Sequence, residues 1–415
     1  MKLKPLLFIA LLFAAASSRA QDESDTSKVR TLEIYGFAMT DMGYNANQIN
    51  PAWSDAMRIT KLPSYKDQFA PDGQVFFGVR QSRFGVKGYT QTGLGELKTV
   101  FEFDLWGTGA DEGQTTMRPR NFYGELGRVL VGQANSPFMD GDVWPNSAEY
   151  WGPSGMVFYR NIQIRYAPLV GKNELYVALE RPGTSADKGT IETPEGLAGV
   201  KAQLQLPDFS AHFKRSGDWG HVQLGGMLRQ LKWVNTDPNG NKDLNGHVTG
   251  WGLNLSTVIN LNKSNILRAS YVYGEGVENY MQDAPVDVGT NYNSSGIVVG
   301  KALPVSGILA FLDHYWTPKW CTAIGYSSVH ITNTSYGSPN AYKNGQYALA
   351  NISVTPVKNL WAVAEVQWGE RRNFTDGFSS QATKIQFSFK YSFGQVFYKN
   401  KNKEVNGASK GVGDE

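Results

Sequence analysis

The stretch TKIQFSFKYSF, residues 383–393, alternates without a break: Thr383, Ile385, Phe387, Phe389, Tyr391 and Phe393 are separated by Lys384, Gln386, Ser388, Lys390 and Ser392. A strand sends successive side chains to opposite faces, so this segment has one aromatic and aliphatic face and one wet, cationic face. One such strand would also suit a soluble sheet resting on a core. Repetition decides between the two, and the pattern repeats. In residues 81–106, Phe84 and Val86 share a face of one arm, and Leu97, Thr99, Phe101, Phe103 and Leu105 share a face of the next, about a turn at Gly93 and Gly95. The other face of the second arm carries Glu96, Lys98, Glu102 and Asp104, which an apolar core would not accept unpaired. Those charges need water.

Sixteen segments of this kind can be drawn, from 31–42 to 380–393, and their connections alternate in length. Short turns at Gly127, 216–220, Asn262-Lys263, Thr317-Pro318 and Pro356-Val357 alternate with long loops near 43–74, 107–118, 135–156, 182–206, 234–246, 275–303, 333–344 and 372–379. Trp251, Tyr271, Tyr273, Tyr315, Trp316, Trp320, Tyr326 and Trp368 fall near strand ends, where amphipathic rings favour a lipid interface. The fold class expected is all-β: a sixteen-stranded antiparallel transmembrane β-barrel with short periplasmic turns and long extracellular loops, sited in the outer membrane of a Gram-negative bacterium.

Composition supports one closed sheet. The chain has 415 residues and a single cysteine, Cys321, so no internal disulfide staples it. A mean hydropathy of −0.36 is too polar for a helical membrane protein, whereas a barrel keeps half of each strand in water. A net charge of +3 gives no support to nucleic-acid binding. Lys2 and Lys4, the apolar run 6–16 and Ser18-Arg19-Ala20 read as a secretory signal. The expected divisions are a signal peptide at 1–20, a short periplasmic segment at 21–30, the barrel at 31–393 and a polar periplasmic tail at 394–415.

Enzyme signatures are poor. The five histidines have no metal spacing and form no HExxH pair. His247 and Ser256 share a strand but stand too far apart for nucleophilic catalysis, and GTGADEG from Gly107 has no Gly-Lys-Ser/Thr to close a phosphate loop. Asp140-Gly141-Asp142 offers two carboxylates where calcium wants about six oxygens. No catalytic residue, metal or cofactor is expected.

SRFGVKG (82–88), with the Gly turn and alternating strand that follow, resembles the second hairpin of Gram-negative general porins. RNFYGELGRVLVGQANSPFMDGDVWPNSAEYWGPSGMVFYRN (120–161) resembles the DcaP-like family of trimeric outer-membrane porins, as do GDWGHVQLGGMLRQL (217–231) and GWGLNLS (250–256). The resemblance covers nearly the whole mature chain. It implies a sixteen-stranded trimeric channel for small, often negatively charged, carboxylate-bearing molecules. Two features depart from it: no heptad segment precedes the barrel, and Phe393 is followed by a polar tail rather than ending the chain.

A barrel this wide needs something to narrow it. The third long loop, 134–157, is the expected constriction element, with Asp140, Asp142 and Glu149 facing cations on the wall. Parity puts Arg83, Lys98, Arg120, Arg165, Arg229 and Arg268 on the lumen side, although Arg120 shares its parity with the apolar Phe122. An acidic loop against a basic wall would set a transverse field that orients dipolar solutes and draws in anions such as dicarboxylates. The partners expected are outer-membrane lipid, small anionic solutes and two further copies of the chain. The alternative is a closed barrel serving as an adhesin or envelope scaffold.

Overall fold

In the computed structural model, residues 30–190, 197, 199–237 and 244–398 are described; the signal segment and most of the polar tail lie outside them. The chain forms one continuous antiparallel sheet closed on itself. Its barrel strands are β1 (Arg30–Asn45), β2 (Gln74–Gly78 continued by Arg83–Thr92), β3 (Gly95–Trp106), β4 (Thr115–Leu126), β5 (Val129–Asn135), β6 (Arg160–Leu169), β7 (Asn173–Glu180) and β8 (Asp208–Gly217). They continue as β9 (Gly220–Asn235), β10 (Gly246–Asn260), β11 (Asn265–Glu275), β12 (Pro304–Tyr315), β13 (Trp320–Ile331), β14 (Tyr342–Val354), β15 (Leu360–Asn373) and β16 (Ser379–Tyr398). Closure is made by β1 against β16, from Thr31 opposite Tyr398 to Asn45 opposite Lys384. Every strand therefore has two partners, and no edge is left to bare its backbone to lipid.

The alternation read from 383–393 controls burial in the expected sense. Ile385, Phe387, Phe389 and Tyr391 are exposed on the outside, while Lys384, Gln386 and Ser388 are fully enclosed. Outward Leu224, Leu228, Leu253, Leu255, Ile308, Ile324 and Val366 continue that apolar belt around the wall. In water so large an apolar surface would drive aggregation; in a bilayer it matches its solvent, and a Lys or Arg there would cost about 2–4 kcal/mol at mid-depth. Of the glycines in the early strands, Gly36 and Gly88 have outward parity, whereas Gly78 and Gly85 turn in against Asp55 and Tyr35.

Three segments differ from the sequence reading. The second strand breaks at 79–82, where a turn closed by Ser82 N–H on the Val79 carbonyl directs Arg80 and Gln81 inward. The last strand continues to Tyr398, five residues beyond Phe393, because β1 extends far enough to pair with it. The sixth long loop has structure of its own: a hairpin of Val288–Tyr292 with Val298–Ala302, joined in parallel by Ala186–Asp187 of the fourth loop. The polar alternation of barrel strands gave no sign of these small loop pairings.

The largest apolar cluster lies inside the barrel. Met57, Ile59 and Leu62 of the first loop, Phe138, Val143, Met156 and Val157 of the third, and Val277, Tyr280 and Met281 of the sixth pack with inward wall residues such as Val272, Leu309 and Phe311. Loops that carry this much apolar surface lower their free energy by folding inward together, at roughly 25 cal/mol per Å² removed from water.

Candidate functional site: a loop-lined constriction

The third loop is placed by a chain of contacts that runs around the inner wall. Ser136 Oγ donates to Glu180 of β7 at 2.6 Å. Asp140 accepts from His221 Nε2 of β9 at 2.7 Å and from Ser256 of β10 at 2.8 Å. Asn146 N–H reaches Asp313 of β12 at 3.3 Å, and its carbonyl accepts from Asn351 of β14 at 2.7 Å. The Ala148 and Glu149 amides both donate to Glu365 of β15, at 3.0 and 3.2 Å. Glu149 pairs with Lys384 of β16 at 2.6 Å. All these wall residues point inward, so a loop that touches them in succession lies within the lumen. The return arm is equally close: a Cβ on Gly155 would stand 2.1 Å from the Ser328 carbonyl oxygen, so only glycine fits.

The sixth loop clamps that return arm. Phe158 N–H donates to the Tyr280 carbonyl at 2.9 Å, and Gln282 N–H donates to the Met156 carbonyl at 2.8 Å. The root of the sixth loop is itself held at Arg229, which pairs with Asp208 at 3.3 Å and with Asp287 at 3.2 Å, all three side chains enclosed. Glu278 beside them is wholly buried, and among the described residues neither of its carboxylate oxygens has a hydrogen-bond partner. Burial, reinforced by the charge of Asp287, holds the Glu278 carboxyl far above its ordinary value. Asp287 is also raised by burial, against the pull of Arg229.

The loop acids do not face the wall cations across open water. Glu149 is buried against Lys384, and Asp140 is buried with His221, Ser256 and Lys214, whose Nζ is 3.9 Å away. Burial raises the Asp140 carboxyl, but the His221 hydrogen bond and the charges of His221 and Lys214 outweigh it, leaving the group below its usual range. Asp142 alone is largely exposed, at 62%, and it pairs with Lys214 at 2.6 Å. The physical reason is distance: the loop lies directly on the wall, so acid and base meet as ion pairs instead of setting a field across a gap. Asp140, Asp142 and His221 bring their ligand atoms within 4.8 Å of one another. Lys214 already balances their charge, and two carboxylates fall well short of a calcium shell.

The six wall cations expected to line the pore separate into different environments. Arg229 is locked between its two aspartates, and Arg268 is held by Asp313 at 2.8 Å and by the Asp142 carbonyl. Arg165 lies over the Tyr176 ring, and Lys98 pairs loosely with Glu125 at 3.8 Å. Arg83 and Arg120 border a cavity beside the third loop, about 1080 Å³ in volume. Arg120 reaches it through a β-bulge: Glu102 is opposite Asn121 while Phe103 is opposite Pro119, leaving Arg120 as the extra residue. Arg120 and Asn121 therefore both turn inward to Glu102, and Phe122 still faces out. The bulge resolves the parity conflict that the sequence presents.

Sequence parity missed several cations around the same cavity. Arg118 on β4 pairs with Asp104 at 2.7 Å, Arg58 and Lys61 arrive on the first loop, and Arg160 stands at the first position of β6. Among the described residues Arg160 makes no ion pair; its contact is the Phe158 ring, 5.3 Å from the guanidinium carbon. In all, Arg58, Lys61, Arg83, Arg118, Arg120 and Arg160 border the cavity, against the acidic residues Glu102 and Glu149.

The DcaP outer membrane protein family model matches residues 19–393. Among curated proteins no sequence matches. Among solved structures, the outer membrane channel DcaP of Acinetobacter baumannii superposes with a TM-score of 0.71 at 20% identity, over 90% of this chain and 100% of that one. An anion-selective porin from Comamonas acidovorans gives 0.56 at 10% identity, over 88% of this chain and 100% of the other. OmpT of Vibrio cholerae in its trimer form gives 0.52 at 12%, over 88% and 99%. At these identities the likeness establishes the sixteen-stranded barrel fold.

Proposed function

The chain belongs to the DcaP outer membrane protein family, and from that premise we propose that this outer-membrane channel passes small hydrophilic solutes passively and prefers anions, carboxylate-bearing molecules above all. The observation that carries the preference is the imbalance around the cavity: six cationic side chains border it, and with Glu102, Asp104, Asp283 and Glu112 paired to them and Glu149 paired to Lys384 the charge stays positive. Among the described residues Arg160 has no carboxylate of its own, and Arg118 and Arg120 share Asp104. Low-dielectric walls strengthen the field of such charges on a passing solute. Guanidinium forks suit carboxylates because they can donate two parallel hydrogen bonds. The Comamonas porin is described as anion-selective, which agrees with this reading at the level of a shared fold.

Assembly as a homotrimer belongs to the same proposal. It rests on the family resemblance and on the trimeric Vibrio OmpT, with the early strands, where Gly36 and Gly88 face outward, as the subunit contact.

The test is current block. A small dicarboxylate added to one side of a bilayer holding the purified protein should reduce chloride current more than a neutral sugar of equal size. Equal block by the two, or a protein that conducts no ions, removes the reading.

A further inference from the structure

We propose that the first long loop forms the constriction jointly with the third, and that its Arg58 is a specificity-determining residue of the pore. This rests on the anion-channel reading above and extends it to a second loop. The loop occupies the lumen on many contacts. Lys384 Nζ donates to the Asp55 carbonyl at 3.2 Å, Arg371 Nη1 to the Thr60 carbonyl at 2.7 Å, and Ser380 Oγ to the Pro63 carbonyl at 2.7 Å. Ile59 is fully buried, and the wall has glycine where it lands: a Cβ on Gly369 would stand 2.3 Å from Ile59 Cδ1, and one on Gly345 2.9 Å from Ile59 Cγ2. The amide of Met57 donates to Glu149 at 2.9 Å, which ties the first loop to the third through the same carboxylate that Lys384 holds.

Arg58 stands where three loops meet. Its guanidinium carbon lies 4.5 Å from the Trp53 ring centre and 4.3 Å from that of Trp151, so one ring belongs to its own loop and the other to the third loop. Its Nε pairs with Asp283 of the sixth loop at 3.2 Å. The two terminal nitrogens make no hydrogen bond among the described residues, and the side chain keeps 24% exposure beside the cavity. A guanidinium held by two aromatic contacts, with one donor used and its terminal donors unspent, is pre-organised to receive an anion from the cavity at little further entropy cost. Because Arg118, Arg120 and Arg160 are carried by the wall at the same cavity, a dianion can engage loop and wall together.

The test uses the full-length protein in planar bilayers, with Arg58→Gln and Arg58→Lys beside wild type. Three quantities are read: single-channel conductance at 1 M KCl, reversal potential in a dilute KCl gradient, and block by succinate. In Arg58→Gln, succinate block should weaken about tenfold and anion preference should fall. Arg58→Lys should keep the reversal potential yet lose most of the block, since an ammonium lacks the fork. Unchanged block and selectivity in Arg58→Gln, with an anion-selective wild type, would make Arg58 a structural peg and overturn the inference alone. A rise in high-salt conductance in both variants would mean that the loop had left the lumen, and would overturn it too. A wild type without anion preference overturns the functional reading itself.

Discussion

The Lys384 ammonium and the Glu149 carboxylate lie 2.6 Å apart, and neither side chain has any contact with solvent. One belongs to the strand that closes the barrel and the other to the loop that lies within its lumen, so this pair fixes that loop to the wall. Removing one partner strands a buried charge, which costs about 3–5 kcal/mol. Lys384→Met or Glu149→Gln alone should therefore lower the unfolding temperature and make the single-channel trace noisy. The double variant should recover part of the stability, because it leaves no uncompensated charge. Thermal melts and open-channel noise read both effects.

A second latch depends on pH. Asp140 sits below its usual range because His221 and Lys214 favour its charged form. A lowered folded value means that the latch is at full strength above the ordinary aspartate value of about 3.9, and is lost as pH falls through the lower folded value. Open-channel noise should accordingly rise only in strong acid. Asp140→Asn should show the acid behaviour already at pH 6.

Glu278 has the opposite sign. Its folded value is raised by burial, so the folded protein holds a proton that the unfolded chain releases. Stability is full below the ordinary glutamate value of about 4.3 and declines as pH rises toward the folded value. Glu278→Gln removes the titration, so the variant should gain over wild type in melts at pH 8 and differ little at pH 4. Equal shifts at the two pH values would mean that the carboxyl has found a partner.

Much of the barrel is legible in the sequence, because lipid on one side and water on the other impose a period-two pattern that needs no tertiary information. The constriction is less legible. Arg83 is found by parity, and Arg120 has a parity that Phe122 contradicts until the bulge is seen; Arg118 and Arg160 precede or follow irregularities, where a bulge or a strand start removes the phase. Arg229 has the right parity and a different environment, because Asp208 and Asp287 enclose it, and Asp287 comes from a loop far along the chain. The inward fold of the first loop has one signal that could have been used: Trp53, Met57, Ile59 and Leu62 are too apolar for an extracellular loop that meets only water.

That environment separates two arginines experimentally. Arg229→Ser should cost stability by leaving Asp208 and Asp287 unpaired, with little change in selectivity. Arg160→Ser should leave the melt unchanged and reduce anion preference, because among the described residues Arg160 makes no ion pair to lose. The converse pattern would place the working charge at Arg229.

The reversal potential of the wild-type channel in a KCl gradient centred near 0.1 M, where the Debye length is about 10 Å, addresses the central claim most directly. The cationic cavity predicts a potential on the chloride side of zero that fades toward 1 M as screening shortens to about 3 Å, and that moves toward zero in Arg160→Ser. A potential on the potassium side, or one that Arg160→Ser leaves unmoved, would contradict the account.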